Sequence, residues 1–366
     1  MVTTEWRGRR LEAFVPPGLL PVPDLSTAAV RASALAEGAL GAVDARLRAG
    51  LQVPARLLLH AEGVASSRIE EVRAPPAEVA VASADPAVGG AAGWVADNLR
   101  AVDAALAHQG PLRADDLWDW HRLLMVHADL EPALVGIWRD RIGWVGGATP
   151  HLAAFVPPPP ELVGALMEDL VAFAQDDRVD PVAHAALVHA QFETIHPFAD
   201  GNGRIGRILI GWVLQRRLGL AVPPPVSGTF LRDRGGYLTG LTRYRLEGPD
   251  GWTIWFARAM EQTAYATEAI LGDVADVIAA WPQRLTGLRA DAAARRLVPH
   301  LSAHPALDVA TAASLAGVSE QAARGALDEL VARGILRDAS TSSGRTGRPR
   351  RWWVAGELLD RLSAGG

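Results

Sequence analysis

Cysteine is absent from the 366-residue sequence, and long apolar runs are absent as well. Without cysteine, disulfide bonds, thiol catalysis and zinc-thiolate sites are excluded. No stretch approaches the roughly 18 consecutive apolar residues of a membrane-spanning helix. The N-terminal residues MVTTEWRGRR also lack the apolar centre of a secretory leader. We therefore expect a cytoplasmic protein that has no membrane partner.

A strong excess of charge of either sign is also missing. The formal net charge of -5 is small for this length, so it argues neither for nor against a nucleic-acid partner across the whole chain. Apolar residues make up 49% of the sequence, and alanine, leucine and valine dominate, which is typical of a compact helical protein. The chain is about twice the length of a typical domain, which predicts two or three domains.

The sequence divides into three predicted regions. Residues 1–100 begin with the proline-punctuated segment FVPPGLLPVPDL, which predicts an extended strap followed by helices, the first of them capped by Asp24 or Ser26. From about residue 55 to residue 280 apolar positions recur at helical spacing, which predicts a helical domain with residues 101–275 as its core. Residues 285–366 change in character and are predicted to form a separate domain.

One segment of the helical region departs from helical spacing. Residues 136–160 carry Gly146 and Gly147 between the β-prone runs IGWV and AAFV. Two such runs around a glycine-containing turn of several residues predict a β-hairpin.

The C-terminal sequence HPALDVATAASLAGVSEQAARGALDELVARGILRD indicates a helix, a glycine-containing turn, a second helix and a strand. We therefore predict a winged helix-turn-helix domain. The candidate recognition helix, residues 319–333, mixes acidic and basic side chains, whereas the loop after it is basic, with Arg345, Arg348, Arg350 and Arg351. This loop suits DNA phosphates, but a protein-interaction or dimerisation module on the same fold explains the sequence equally well.

The stretch HPFADGNGRIGR combines groups that suit phosphate binding. Gly201, Asn202 and Gly203 lie where a loop enters the helix RIGRILIGWVLQRRL, and backbone N–H groups at a helix N-terminus favour anions. Arg204 and Arg207 are three residues apart, so both side chains lie on one face and can reach further phosphate oxygens. The sequence therefore predicts a cradle for a polyanion.

The same stretch contains an acid and a base beside this cradle. Asp200 supplies a carboxylate, which suits a divalent metal held between it and the phosphates. His196 has the one side chain whose pKa suits proton abstraction near neutral pH. Taken singly, each feature has a plain alternative: a loop histidine, a tight turn and a solvated pair of arginines.

Taken together, these residues resemble the motif of the Fic family, H-x-F-x-[DE]-G-N-G-R-x-x-R, with every defining position present. The resemblance covers about residues 10–270 and includes GIWRDRIGWVGG with AFVPPPP, which is similar to the family's flap, and GGYLTGLTRYRLEGPDGWTIWF, which is similar to its downstream helices. It implies a mainly α fold, a Fic-type helical bundle with a β-hairpin flap, to which the winged helix is appended. Members of the family often dimerise, so a homodimer is a further expectation.

The resemblance also implies a role for each residue of the motif. His196 would take the proton from a Ser, Thr or Tyr hydroxyl of a target protein, which then attacks the α-phosphorus of ATP. Asp200 would hold Mg²⁺, with Mn²⁺ as the alternative metal. Gly201, Asn202 and Gly203 would line the phosphates, Arg204 and Arg207 would contact the outer ones, and Phe198 would anchor the loop.

The flap would dock a segment of the target protein. Its residues are Trp144, Val145, Gly146 and Gly147. Binding by strand addition uses main-chain hydrogen bonds and imposes little sequence preference, so the sequence does not identify the target protein.

A second segment, ASSRIEEV, resembles the family's inhibitory motif, [ST]-x-x-x-E-[GN], through Ser66 and Glu70. The resemblance implies that Glu70 pairs with Arg207 and competes with a phosphate for the same guanidinium donors. Glu71 departs from the motif, which prefers Gly or Asn there. Since Ser67 and Glu70 have capping-box spacing, the alternative is that this segment starts a helix.

Several further assignments remain open at the level of sequence. Tyr237 and Tyr244 are seven residues apart on one helical face, and either flank an adenine or pack in the core. His184 and His189 are expected to be structural. Besides AMP transfer, the alternatives are a transfer from UTP or a phosphocholine nucleotide, removal of AMP from a modified target, and a DNA-binding regulator acting through residues 285–366.

Overall fold

The computed structural model describes residues 1–49, 55–339 and 350–364. The fold is mainly helical, as the sequence predicted. The helices are α1 (Thr27–Arg48), α2 (Ala55–Ile69), α3 (Pro76–Ala84), α4 (Gly90–Ala107), α5 (Ala114–Leu124), α6 (Pro160–Phe173), α7 (Pro181–Ile195), α8 (Asn202–Leu218), α9 (Val226–Arg232), α10 (Arg234–Glu247), α11 (Pro249–Arg284), α12 (Ala293–Leu297), α13 (Val309–Ala316), α14 (Glu320–Ala332) and α15 (Gly356–Ala364). The strands are β1 (Val2–Trp6), β2 (Arg9–Ala13), β3 (Ala306–Leu307), β4 (Arg337–Asp338) and β5 (Trp353–Val354).

Helix α7 forms the centre of the helical domain. Its sequence PVAHAALVHAQFETI is apolar around most of its circumference, and nearly all of its side chains are buried, as expected of a helix surrounded by others. Helices α1, α6, α8, α10 and α11 pack around it. Because α7 is held on several sides, the loop that follows it has a fixed position.

The N-terminal segment contains a hairpin that the sequence analysis did not predict. Strands β1 and β2 pair antiparallel, and Arg7 and Gly8 make the turn with positive φ angles of 50° and 75°. Residues 14–25 then form the extended strap. Ser26, rather than Asp24, caps α1, with its hydroxyl accepting from the N–H of Ala29.

The predicted flap is less regular than a β-hairpin. Only Val145 and Phe155 form a bridge between the two runs, through two backbone hydrogen bonds with Val145. A short 3₁₀ turn at Pro150–Leu152 separates them. The two predicted runs therefore pair antiparallel through a single bridge, because prolines and two positive-φ glycines limit further pairing. The N–H of Phe14 donates to the carbonyl of Val156, so the strap borders this segment.

The C-terminal region shows the predicted order of helix, turn, helix, strand and returning strand. Strands β3, β5 and β4 form one antiparallel sheet in that order, and Ser319 caps α14. Contacts of α15 with α2 and α11, and of β3 with α3, attach the region to the helical domain. Residues 340–349, which include Arg345 and Arg348, lie outside the described residues, and the assignment as a winged helix stays a prediction.

None of the helices in the described ranges combines the length and the apolar character needed to cross a membrane.

Candidate active site

The loop between α7 and α8 has a conformation fixed by its own side chains. His196 ends α7 with a left-handed backbone, at φ 51°. Phe198 is buried and its ring stacks on that of His121, with the centroids 4.0 Å apart. The amide of Asn202 accepts from the N–H of Phe198 at 2.8 Å and donates to its carbonyl at 2.9 Å. Phe198 therefore anchors the loop, as expected.

The side chain of Asn202 shapes the loop, and the contact of its backbone with phosphates stays a prediction. Its side chain is buried and both of its polar atoms bond to the backbone of Phe198. The amide therefore shapes the loop, and only the backbone of Asn202, at the first position of α8, remains for an anion at the helix N-terminus. Gly201 precedes it with φ 80°, a left-handed conformation that suits glycine.

Arg139 is a residue of this site that the sequence analysis missed. It is buried, and its guanidinium donates to the carbonyls of His196 at 2.8 Å, Pro158 at 2.6 Å and Arg141 at 2.9 Å. The backbone N–H of Arg139 also donates to the carbonyl of Pro197. Burial lowers the pKa of Arg139 to about 10, which leaves it charged at neutral pH. It therefore ties the flap segment to the catalytic loop.

His196 carries a neutral imidazole at neutral pH. Burial, followed by the positive charge of Arg139, lowers the pKa of His196 to about 4. Among the described residues, its Nδ1 atom has no hydrogen-bond partner. A general base must be unprotonated before it accepts a proton, so this environment keeps His196 in the required state.

Glu193 lies one turn before His196 and was also missed. Its Oε2 atom is 3.9 Å from Nδ1 of His196, too far for a hydrogen bond. Burial raises the pKa of Glu193 to about 8. The carboxyl is therefore largely protonated near neutral pH and does not attract a proton to His196. A single acid within the apolar sequence of α7 was the signal available for it.

Arg207 joins the motif to the segment ASSRIEEV. Its Nε donates to the hydroxyl of Ser66 at 2.9 Å, and its Nη2 donates to the carbonyl of Ser66 at 3.0 Å and to Oε1 of Glu70 at 2.8 Å. Burial alone would raise the pKa of Glu70, but the charge and hydrogen bond of Arg207 outweigh it and lower that pKa. The structure thus brings together all three residues that the sequence analysis paired.

The carboxylate of Glu70 also lies against the N-terminus of α8. A Cβ atom added at Gly203 would overlap with Oε1 of Glu70. The carboxylate therefore occupies the position at which the helix N-terminus favours an anion. A phosphate that needs this position or the Nη2 donor of Arg207 has to displace Glu70.

The segment ASSRIEEV ends a helix, so the capping-box alternative is wrong. Ser67 lies in the last turn of α2, which ends at Ile69, and Glu70 N–H bonds to the carbonyl of Ser67. Glu71 follows with a left-handed backbone at φ 65°. Glycine and asparagine adopt that conformation most readily, which explains why the motif prefers them here. Glu71 carries the strain of this position and contacts Arg234 at 3.3 Å.

Arg204 and Asp200 form the outer part of the site. Arg204 is buried, and its Nη2 lies 3.7 Å from Oδ2 of Asp200. The Nε of Arg204 finds no hydrogen-bond partner among the residues that the structure describes. The side chain of Asp200 is about half exposed, and its Oδ1 accepts from the N–H of Gly201 at 2.7 Å. One carboxylate edge and one guanidinium donor are thus available to a ligand.

The donor set at Asp200 fits a cation that arrives with phosphates. In the described parts of the chain there is no cluster of three or more His, Asp or Glu side chains suited to a metal ion. Mg²⁺ commonly binds through one or two carboxylates together with substrate phosphates and water. A single exposed carboxylate beside an anion site meets that requirement.

The two tyrosines lie in packed surroundings. Tyr237 is buried, stacks on Phe230 and bonds through its hydroxyl to Nε2 of His189 at 2.9 Å. The hydroxyl of Tyr244 donates to Gln191 at 2.8 Å. The core-packing alternative describes the position of Tyr237, and its proposed contact with a nucleotide is not visible in this arrangement. His184 and His189 are both buried, as expected of structural residues.

The predicted docking residues of the flap are accessible. Trp144 and Val145 are 38% and 37% exposed, and Trp144 packs edge-on against Trp6 of β1. Gly146 and Gly147 turn the chain with φ angles of 72° and 73°.

The described arginines of the predicted DNA-binding loop are engaged within the chain. Arg350 contacts Asp308 at 2.5 Å, and Arg351 contacts Asp338 at 2.8 Å. Arg345 and Arg348 lie outside the described residues. These ion pairs give no support to DNA binding, which stays a prediction.

Comparison with known proteins agrees with the motif. Residues 111–214 match the Fic/DOC family. Protein adenylyltransferase fic-1 of Caenorhabditis elegans is 33% identical over 105 residues, which are 28% of this chain and 19% of that protein. A probable protein adenylyltransferase of Aquifex aeolicus is 44% identical over 63 residues, 17% of this chain and 20% of the relative. The matched segments thus span about a fifth of these relatives' length.

A solved structure supports the fold over most of the chain. The crystal structure of a Fic family protein from Desulfovibrio desulfuricans G20 covers 91% of this chain and 97% of its own, with a TM-score of 0.60. The two sequences are 20% identical, so this likeness concerns the fold alone.

We expect His196 to remain neutral across the physiological pH range. Its folded pKa is about 4 against an ordinary 6.5, so its contribution to stability is present above pH 6.5 and is lost as the pH falls toward 4. The NMR shift of its ring carbon, assigned by its loss in His196→Gln, should stay at the neutral value down to about pH 5. A protonation midpoint at pH 6 or above would contradict this account of the site.

We also expect Glu71→Gly to stabilise the end of α2. Glycine removes the left-handed strain at φ 65°, whereas Glu71→Ala removes the same side chain and keeps the strain. The glycine variant should therefore have a free energy of unfolding about 1 kcal/mol higher than that of the alanine variant. Urea unfolding of the two proteins measures this difference. Equal stabilities would show that the backbone here is unstrained.

Proposed function

From the premise that residues 111–214 of this chain are a Fic/DOC domain, we propose that the protein transfers AMP from ATP to a hydroxyl of a protein. The observation that carries this proposal is the position of His196 on the loop that leads directly into α8, whose first two turns carry the buried guanidinium groups of Arg204 and Arg207. This arrangement supplies a base and a polyanion site together. In-line transfer at phosphorus requires mainly positioning, charge neutralisation and a base.

The reaction starts at the acceptor hydroxyl, which is a Ser, Thr or Tyr of a target protein or of the chain itself. Its oxygen attacks the α-phosphorus of ATP while Nδ1 or Nε2 of His196 accepts the hydroxyl proton. The bond from the α-phosphorus to the bridging oxygen breaks, and pyrophosphate leaves with that oxygen and its electron pair. The products are an AMP ester on the protein, pyrophosphate and a proton carried away from His196.

The phosphates of ATP are held by backbone and side-chain donors. The N–H groups of Asn202 and Gly203 lie in the first turn of α8, where the helix dipole favours negative charge, whereas the N–H of Gly201 donates to Asp200. Arg204 and Arg207 contribute guanidinium donors in a water-poor setting, where each interaction with a phosphate is stronger than in water. Arg207 binds the outermost phosphate, which favours a nucleoside triphosphate as donor.

Asp200 would hold Mg²⁺, or alternatively Mn²⁺, against the phosphates. Bound there, the cation neutralises part of the phosphate charge. Asp200 also orients the loop, because its carboxylate accepts from the N–H of Gly201.

The same site contains its own inhibitor. Glu70 occupies both a donor of Arg207 and the N-terminus of α8, so ATP binds productively only after this carboxylate has moved. Since Ser66 holds the other edge of the guanidinium, Arg207 does not need to move. We therefore propose that the protein is inhibited in cis by Glu70.

The acceptor segment docks at the flap. Val145 bonds through its backbone to Phe155 and, with Trp144, is accessible from solvent. The N-terminal strap covers the segment near Val156, so the accessible side is the one at Trp144, Val145, Gly146 and Gly147. An extended target segment added there by main-chain hydrogen bonds would bring a hydroxyl toward His196.

Mass spectrometry of the purified protein tests the reaction and its inhibition together. Wild type, Glu70→Gly and Glu70→Gly/His196→Ala are incubated with Mg²⁺ and ATP, and AMP added to the chain is quantified. We expect Glu70→Gly to gain at least about tenfold more AMP than wild type, the effect of about 1.4 kcal/mol, and the double variant to gain none.

Glu71→Gln is the matched control, because it removes a neighbouring negative charge that contacts Arg234 rather than Arg207. It should behave as wild type. UTP replaces ATP in a parallel reaction to test the donor. If no variant is modified with either nucleotide, and no protein of an added host lysate is modified, the proposed transfer is wrong.

A further inference from the structure

A cavity of about 320 Å³ lies between the helical domain and the C-terminal region. Residues of α2, α3 and α4 form one wall, and residues 303–306 with Thr311 form the other. Its size suits a small metabolite. No residue of the stretch 196–207 lines it, so this cavity is separate from the proposed site of AMP transfer.

Two buried polar atoms at this cavity have no hydrogen-bond partner among the described residues. They are Nε2 of His60 on α2 and Nη1 of Arg100 on α4, and both residues line the cavity. His60 is only 5% exposed. Buried polar groups in folded proteins are normally paired, and leaving one unpaired destabilises the protein. Both atoms are closed off from solvent, so they reach the cavity only when the side chains of His60 and Arg100 turn toward it, and a ligand that induces this turn would complete their hydrogen bonding.

The guanidinium of Arg100 is paired on one side. Its Nη2 pairs with Asp97, a buried carboxylate that also accepts from the N–H of His127 at 2.8 Å. The Nη1 atom of the same guanidinium has no hydrogen-bond partner among the described residues. A guanidinium held in this way is suited to an oxyanion, because its donors match carboxylate and phosphate geometry.

The remaining polar side chains define the ligand further. Arg56 and His304 line the same cavity, and Arg56 adds a second positive charge. Burial and then the charge of Arg56 lower the pKa of His60 to about 4, so its imidazole is neutral and suited to hydrogen bonding. Asp103 is the one carboxylate among the lining residues, and it can accept from a hydroxyl or ammonium group of the ligand.

We propose that this cavity binds a small organic oxyanion, in which a carboxylate or phosphate group contacts Arg100 and Arg56 and a donor group contacts Asp103. A carboxylate and a phosphate ester both present oxygen acceptors that match a guanidinium, and a binding experiment with one probe of each kind distinguishes them.

Binding here would act on the helix that carries Ser66. His60 lies six residues before Ser66 on α2, about 9 Å along the helix axis. Helix α2 packs tightly on α4, since the amide of Asn98 donates to the carbonyl of Gly63 at 3.2 Å and a Cβ at Gly63 would overlap with Leu99. A ligand that joins His60 to Arg100 therefore fixes α2 against α4. Any consequence for AMP transfer rests on the proposed function, but the binding itself does not.

Calorimetry of the full chain, without nucleotide, tests the site. Glucose 6-phosphate and malate are the two anionic probes, and glucose and glycerol are their neutral counterparts. We expect at least one anion to bind and its neutral counterpart not to bind. Arg56→Gln should weaken that binding by at least about tenfold, because hydrogen bonds between charged groups are stronger than those between neutral groups. Binding of the first probe alone assigns a phosphate ester, and binding of the second alone assigns a carboxylate.

Arg258→Gln is the matched control, because Arg258 is an exposed arginine of α11 that does not line the cavity. Its affinity for the probe should equal that of wild type. Hydrogen exchange supplies a second readout: the bound probe should slow the exchange of amides in residues 57–69. The proposal is overturned if neither anion binds, if the neutral compounds bind equally well, or if Arg56→Gln binds as wild type does. None of these outcomes depends on AMP transfer.

Discussion

The arrangement of the site depends on the buried guanidinium of Arg207. A charged group removed from water is costly unless it is paired and hydrogen-bonded. Here the partners come from one short segment. Ser66 accepts two hydrogen bonds, through its hydroxyl and its carbonyl, and Glu70 accepts the third. Burial alone would lower the pKa of Arg207, yet the negative charge of Glu70 outweighs it and raises that pKa. Helix α2 is consequently fastened to α8 by an ion pair.

Under the proposed function, that ion pair makes the binding of a nucleotide phosphate and inhibition by Glu70 mutually exclusive. A phosphate satisfies the same donors as the carboxylate, so removing Glu70 in favour of a phosphate leaves no buried charge unpaired. The chain contains no lysine, and all of its 36 basic side chains other than histidine are arginines. Guanidinium groups keep their charge when buried and bind carboxylate and phosphate with similar geometry. The exchange of one partner for the other therefore requires no change in the protonation of Arg207.

Much of this site was predictable from short sequence patterns. Eight motif positions place the base and the phosphate-binding residues next to each other in the chain, and the pair of Ser66 and Glu70 was recognisable at a distance of more than 130 residues from Arg207. These positions were recognisable because each pattern lies within a short local sequence, whereas their roles in AMP transfer stay predictions. The left-handed backbone of Glu71 was not predicted, because glutamate carries no preference for it; it belongs to the helix end, where the N–H groups of Glu71 and Val72 donate to the carbonyls of Arg68 and Ser67.

Features that depend on tertiary contacts were missed. Arg139 is one arginine in a loop, and nothing in its neighbours indicates that its guanidinium bonds to the carbonyls of Pro158, Ile195 and His196 in other segments. The burial of Tyr237 against Phe230 depends on how α9, α10 and α11 pack. The flap contains a single bridge because its prolines and glycines limit pairing. The β-propensity of IGWV and AAFV does not reveal this limit on the number of paired residues.

The central claim is that Glu70 and the outermost phosphate of ATP compete for Arg207. Calorimetric titration of wild type and Glu70→Gln with ATP and with ADP, in Mg²⁺, tests it most directly, because ADP lacks the phosphate in question. We predict that Glu70→Gln tightens the binding of ATP by at least about tenfold, or about 1.4 kcal/mol, and changes the binding of ADP much less. An equal effect on both nucleotides, or no effect on ATP, would contradict the competition at Arg207.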